Sequence, residues 1–164
     1  MSTRSRIGVI RGEKIESVYC HFDGYPTGVG ATLAAHWMDP EKVDALIGLG
    51  DLSALGEEIG EAHDFDTHTG SYVDGEYVIG EHSGKWCLAY GRDRGEDRTE
   101  AGTHTIDAWP DSGQEWEYLY EPIGHTWQCR ERAWNGPAQA FEGIQLWIAR
   151  EQKRIDEYLA SHPA

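Results

Sequence analysis

Arg6-Ile7-Gly8-Val9-Ile10-Arg11-Gly12-Glu13-Lys14-Ile15-Glu16-Ser17-Val18-Tyr19-Cys20-His21-Phe22 is the stretch on which the fold turns. Apolar and polar residues alternate over 6–10 and again over 14–22, the period of a strand with one buried face, and Arg11-Gly12-Glu13 between them suits a short glycine-containing loop. The two runs therefore predict a β-hairpin. On its second strand Val18, Cys20 and Phe22 share one face while Tyr19 and His21 take the other, because successive side chains alternate across a strand. Asp23-Gly24-Tyr25-Pro26 then turns the chain by its Gly and Pro chemistry.

Working outward, Val29, Leu33 and Trp37 recur at helical spacing and predict one short helix. Asp39-Pro40-Glu41 supplies an N-cap followed by proline at the first helical position, with Val43, Leu46 and Ile47 as the buried stripe of a second, ended by Gly48 and Gly50. Asp74-Gly75, flanked by Ser71-Tyr72-Val73 and Glu76-Tyr77-Val78-Ile79, is a two-residue hairpin turn. Residues 86–90, 116–121 and 125–132 read as strands, the last two paired antiparallel through Glu121-Pro122-Ile123-Gly124. From Pro137 onward Phe141, Ile144, Trp147, Ile148, Ile155 and Leu159 keep helical spacing, with Asn135-Gly136-Pro137 opening the helix. Strands and helices do not alternate as in βαβ units, so the expected fold is α+β, an antiparallel sheet of hairpins with two short helices near the N-terminus and a long C-terminal helix. At 164 residues one domain is expected, with the first hairpin and two helices in 1–56, an acidic strand-rich part in 57–132 and the helix in 137–162.

Fourteen basic against twenty-nine acidic side chains give a net charge of −15, which argues against non-specific binding to nucleic acid or to an anionic membrane surface. The charge is concentrated in residues 57–121, which hold seventeen acids and four bases. Eight Tyr and Trp residues in that part, among them Tyr72, Tyr77, Trp86 and Tyr90, mark it as folded with an acidic surface. No apolar run approaches a membrane span, and Met1-Ser2-Thr3-Arg4-Ser5-Arg6 leads into strand-like sequence rather than an apolar leader. Cys20, Cys87 and Cys129 form no CxxC pair and no even framework, so a reducing cytoplasm is the expected compartment.

Several blocks together carry a resemblance: Ser17-Val18-Tyr19-Cys20-His21-Phe22-Asp23-Gly24-Tyr25-Pro26, Leu46-Ile47-Gly48-Leu49-Gly50-Asp51-Leu52-Ser53, and Ala89-Tyr90-Gly91-Arg92-Asp93-Arg94-Gly95-Glu96. In these the chain resembles a family of small proteins of unassigned function encoded by bacteriophages, prophages and plasmids. The likeness covers the first third and a stretch beyond the middle; the segment around 63–86 and the terminal helix depart from the shorter family pattern. What the resemblance implies is an accessory gene of a mobile element, a class rich in anti-defence functions.

The chemistry-bearing motifs each have a structural reading as well. Cys20-His21 with Asp23 invites a nucleophile, but strand alternation sets Cys20 and His21 on opposite faces, and Cys20 belongs with Val18 and Phe22 in a core. His63-Asp64-Phe65-Asp66-Thr67-His68 collects metal-ligand residue types at a spacing that fits no established site, so a solvated acidic loop without metal is expected. Gly91-Arg92-Asp93-Arg94-Gly95 sets two arginine forks between glycines that permit close approach of an anion, unless the arginines pair with Asp93, Glu96 and Asp97. No phosphate-loop or dinucleotide motif is present, and Trp109 and Trp134 are candidate surface anchors.

The expectation is a cytoplasmic binding protein without cofactor that counters host defence, either blocking a host protein by nucleic-acid mimicry or sequestering a nucleotide-like signal. Tyr19, His21, Asp23, Tyr25, Arg92, Asp93 and Arg94 are the candidate ligand-binding residues for the second mode. The alternative is a small enzyme using a Cys/His or His/carboxylate site. The amphipathic terminal helix is the expected homodimer contact.

Overall fold

The first hairpin forms as its alternation predicts. β1 (Ser5–Arg11) and β2 (Lys14–Cys20) pair antiparallel in the register Ile7↔Val18, turning through Gly12 at φ +64°, an angle that suits glycine. Ile7, Val9, Val18 and Cys20 lose all exposure on the inner face. Phe22 does not follow them: β2 ends at Cys20, the adjacent amides of His21 and Phe22 both bond to the same neighbouring segment, at the Leu52 and Ser53 carbonyls, and the strand alternation breaks there, leaving Phe22 46 % exposed. The structure, a computed structural model, describes residues 2–105, 114–132 and 139–164.

Pro26–Gly30 form a wide π-type turn that runs directly into α1 (Ala31–His36), and Val29, Leu33 and Trp37 are buried as their spacing requires. α2 (Pro40–Gly48) is capped by the Asp39 carboxylate accepting from the Glu41 amide at 3.1 Å, and buries Val43, Leu46 and Ile47. β3 (Leu52–Ala54) follows, then a separate two-stranded sheet of β4 (Gly70–Val73) and β5 (Glu76–Ile79), turned at Asp74 and Gly75 with both φ angles positive. Of the strand expected over 86–90 only β6 (Leu88–Ala89) exists, because Tyr90 already opens the short helix α3 (Tyr90–Arg94). β7 (Gly102–Thr105), β8 (Trp116–Glu121), β9 (Thr126–Glu131) and β10 (Glu142–Gly143) are the remaining strands among the described residues. α4 (Ile144–Ser161) begins seven residues later than its spacing suggests, because Glu142 and Gly143 first pair with β9; Phe141 therefore precedes the helix. Asn135, Gly136, Pro137, Trp109 and Trp134 lie outside the described residues.

The architecture is α+β. The main sheet runs β10-β9-β8-β1-β2-β3-β6, with β7 also on β2. Its hairpins are antiparallel, as expected, while β1 with β8 and β2 with β3 are parallel, so the sheet as a whole is mixed. α1, α2 and the start of α4 pack on the inner face, and buried aromatic residues tie the loops to it through their polar tips. Tyr118 donates to the Gly24 carbonyl at 2.7 Å, Tyr120 to Met38 at 2.6 Å, Trp127 to Trp37 at 2.8 Å and Trp37 to Gly56 at 3.0 Å. On the opposite face Glu117, fully buried, is held by Arg130 at 2.7 Å, whose guanidinium lies 4.1 Å from the Phe141 ring centroid.

The first half of α4 belongs to this core, with Ile144 and Trp147 buried and Glu151 bonded to Thr27. The second half is exposed, including Ile155, Tyr158 and Leu159. No helix among the described residues is long and apolar enough to cross a membrane.

Candidate functional site

The three cysteines are buried and free. Burial pushes the Cys20 thiol up to about 12 and the Cys87 thiol up to about 11, and raises Cys129 further. His21 is no base for Cys20: its ring lies across the strand, where Nδ1 shares a 2.6 Å hydrogen bond with the Tyr19 hydroxyl.

The ligand-binding candidates are distributed over separate pairings. Tyr19 meets His21, and the Tyr25 hydroxyl donates to Asp23 at 3.2 Å. Arg94 pairs with Glu96 at 3.0 Å and lies over the rings of Phe65 and Tyr90, 4.5 and 4.8 Å from their centroids. Arg92 turns the other way, inward. Its guanidinium donates to the carbonyls of Cys87 at 2.8 Å, Ile59 at 2.9 Å and Gly60 at 3.3 Å, and grips Asp93 through Nε at 2.9 Å and Nη2 at 3.2 Å.

Asp93 has no exposed side-chain surface, and each of its oxygens accepts one guanidinium and one backbone donor. Oδ1 takes Arg92 Nε and the His63 amide at 3.2 Å; Oδ2 takes Arg92 Nη2 and the Ala89 amide at 2.8 Å. Burial pushes this carboxyl up, but the bonds from Arg92, Ala89 and His63 outweigh it and leave it below the usual carboxylate range. Arg92 and Asp93 thus join α3, β6 and the loops at 59–63, and Gly95, at φ +69°, ends the helix. The charge pattern reveals two arginine forks, but two of the three carbonyls that saturate Arg92, those of Ile59 and Gly60, lie more than thirty residues upstream in the chain, where no local signal marks them.

Beside this hub stands a cluster of histidines that line a cavity of about 260 Å³ with Asp64, Thr67 and Glu81. His63 Nδ1 is 2.7 Å from the Glu61 carbonyl, an acceptor only, so that nitrogen carries a proton. Its Nε2 lies 2.7 Å from His68 Nδ1. Burial and the neighbouring His63 lower the His68 pKa, favouring the neutral ring. His82 stacks flat on Trp86 at 3.6 Å, and Trp86 packs on Gly60 so closely that a Cβ there would strike its ring.

Two imidazoles around a tetrahedral zinc stand about 3.3 Å apart, given Zn–N bonds near 2.05 Å, so the His63–His68 spacing is that of a hydrogen bond. Among the described residues no group of three or more His, Cys, Asp or Glu side chains is arranged to hold a metal ion. The histidine–tryptophan cluster and the Arg92 hub are the elements that the sequence left unassembled; a hint lies in Gly56 and Gly60, four residues apart, both packed against the Lys85–Trp86 segment. No family model, curated protein or solved structure matches the chain.

Proposed function

We propose that the chain is a non-enzymatic binding protein of a mobile element, acting in the host cytoplasm, whose folded acidic surface occupies a basic groove of a host defence protein. One observation carries this reading. Of the twelve acids between residues 57 and 100, eleven are exposed, and only Asp93 turns inward, where with Arg92 it holds the segment together. An acidic linker would carry the same charge without fixed positions. Here the charges stand on a scaffold, which lets a surface imitate the spaced charges of a nucleic-acid backbone.

The signal-sequestering mode has less support, because the fork of Arg92 is spent on Asp93 and three backbone carbonyls and Arg94 is paired with Glu96. The cysteine enzyme alternative has less still, with each thiol buried and raised. Supporting a binding role, the acids outnumber the bases so heavily that association with a basic partner is steered at long range.

The test is to retain host proteins on the immobilised chain and elute them across a salt gradient, with duplex DNA or RNA as competitor. Mimicry requires that retention fall steeply with salt and that nucleic acid displace the partner. Retention that ignores both salt and competitor refutes it.

A further inference from the structure

We propose that the β4–β5 hairpin is the docking element of the acidic surface, and that it fits a partner protein whose basic face carries an apolar slot. This rests on the acidic-surface reading and adds to it where and by what contacts the partner is held.

A two-stranded hairpin standing apart from the main sheet gains little stability of its own in water. This one nevertheless exposes every residue of β5. Its register, Tyr72↔Tyr77 and Gly70↔Ile79, puts Tyr72, Tyr77 and Ile79 on one face. Tyr72 is 77 % and Ile79 72 % exposed, and the two tyrosine rings meet edge to face at 5.3 Å. Gly70 has no side chain, and a Cβ there would press on the Tyr77 hydroxyl, so the ring lies across the glycine and the face stays flat. The three side chains present on the order of 400 Å² of mostly apolar surface, the size of the largest apolar patch on a typical monomer, which is often a functional one.

The root of the hairpin is fixed while its face is open. The Gly80 amide donates to Thr69 at 3.0 Å, the Ser83 amide to Gly80 at 3.1 Å, and the Trp86 amide to His82 at 3.0 Å, with His82 stacked on Trp86 below. An element held this way loses little conformational freedom on binding, and tyrosine brings contact area at low entropic cost.

Charge identifies the occupant. Residues 57–85 hold eight acids and one base, with Asp74 and Glu76 on the hairpin itself. A second copy of the chain would bring the same acids face to face, whereas a basic surface neutralises them as the apolar face is buried.

The experiment follows the full-length ¹⁵N-labelled chain with two synthetic decapeptides of equal charge, alternating Lys–Leu and alternating Lys–Gly, at about 50 mM salt. Lys–Leu should bind about tenfold more tightly, with shifts centred on residues 71–79. Replacing Tyr72→Ser and Ile79→Ser together should bring Lys–Leu down to the affinity of Lys–Gly, leave Lys–Gly binding unchanged, and move the melting temperature by no more than about 2 °C, since both side chains are exposed. Asp74→Asn with Glu76→Gln should weaken both peptides. Equal affinity for the two peptides, or shifts centred elsewhere, overturns the hairpin and leaves the acidic surface standing. Failure of both peptides to bind overturns both readings, and hairpin shifts that grow with protein concentration alone overturn the proposal in favour of a second copy.

Discussion

Replacing Asp93→Asn removes one charge from a fully covered carboxylate while keeping its shape. In the native structure each oxygen receives two donors, one from Arg92 and one from the backbone. Whichever way the new amide is turned, its NH₂ therefore faces two N–H donors that had been satisfied. An unpaired buried donor costs about 1–3 kcal/mol, and breaking a buried ion pair about 3–5 kcal/mol. Arg92 keeps three carbonyl acceptors and some solvent contact, which places the loss toward the lower end, about 3 kcal/mol. For a domain this is a large part of a total stability of about 5–15 kcal/mol.

Urea unfolding followed by far-UV circular dichroism at neutral pH measures it, with Arg92→Lys as the companion variant. Lysine keeps the charge but not the fork, so it should lose about 1–3 kcal/mol. The pH dependence supplies a second check. The Asp93 carboxyl is depressed in the folded state, so its contribution is complete above the unfolded carboxylate value near 4 and is lost as pH falls through the lower folded value. The gap between wild type and Asp93→Asn should persist at about pH 5 and close only in stronger acid. A variant within about 0.5 kcal/mol of wild type, or an Arg92→Lys chain of full stability, would refute the hub and return Arg92 to the list of ligand-binding groups.

Other expectations follow from the same geometry. Cys20→Ala should lower stability by about 1–2 kcal/mol through lost packing, and the native thiol should react with a thiol reagent only as fast as the chain opens; rapid labelling would show a reactive cysteine. His68 is depressed in the folded state, so folding favours its neutral form, and stability should decline from the unfolded histidine value near 6.5 as pH falls toward 5. His68→Gln should flatten part of that decline; an unchanged slope, measured by urea midpoints, would remove His68 as its source. Deleting residues 152–164 should leave the melting temperature nearly unchanged because that half of α4 is exposed, whereas deleting 139–164 removes β10, Ile144 and Trp147 and should unfold the domain. Light scattering on the shorter truncation tests the homodimer contact, since Ile155, Tyr158 and Leu159 are the apolar side chains that a second copy would cover there.

What the sequence made legible was local. The first hairpin, the Asp39 cap and the Asp74-Gly75 turn each follow from spacing within fewer than twenty residues, and each stands where its residues put it. The misreadings occur where a distant partner decides. Phe22 keeps the strand period in sequence but leaves the core, because the adjacent amides of His21 and Phe22 both bond to the distant carbonyls of Leu52 and Ser53, at 3.0 and 3.1 Å, and end the alternation. Phe141 keeps helical spacing, yet the following pair of residues joins β9 and delays α4. The parallel seam between β1 and β8 links strands more than a hundred residues apart, which no short-range pattern encodes.

Arg92 is the sharpest case, because the same charge pattern serves an anion site or an internal brace. Which it becomes depends on whether carbonyls from residues 59, 60 and 87 arrive within reach. Since they do, the Arg92 and Asp93 pair is an internal brace, and the binding surface proposed above consists of the acids and exposed hairpin outside it. Loss of the brace should then weaken binding without any contact to the partner being removed. If Asp93→Asn unfolds locally, as its position predicts, the Lys–Leu peptide should lose affinity for the variant in parallel with the loss of native hairpin signals. A variant that has lost the native hairpin signals and still binds at full affinity would show that the acidic surface needs no fixed scaffold, and that charge alone carries the interaction.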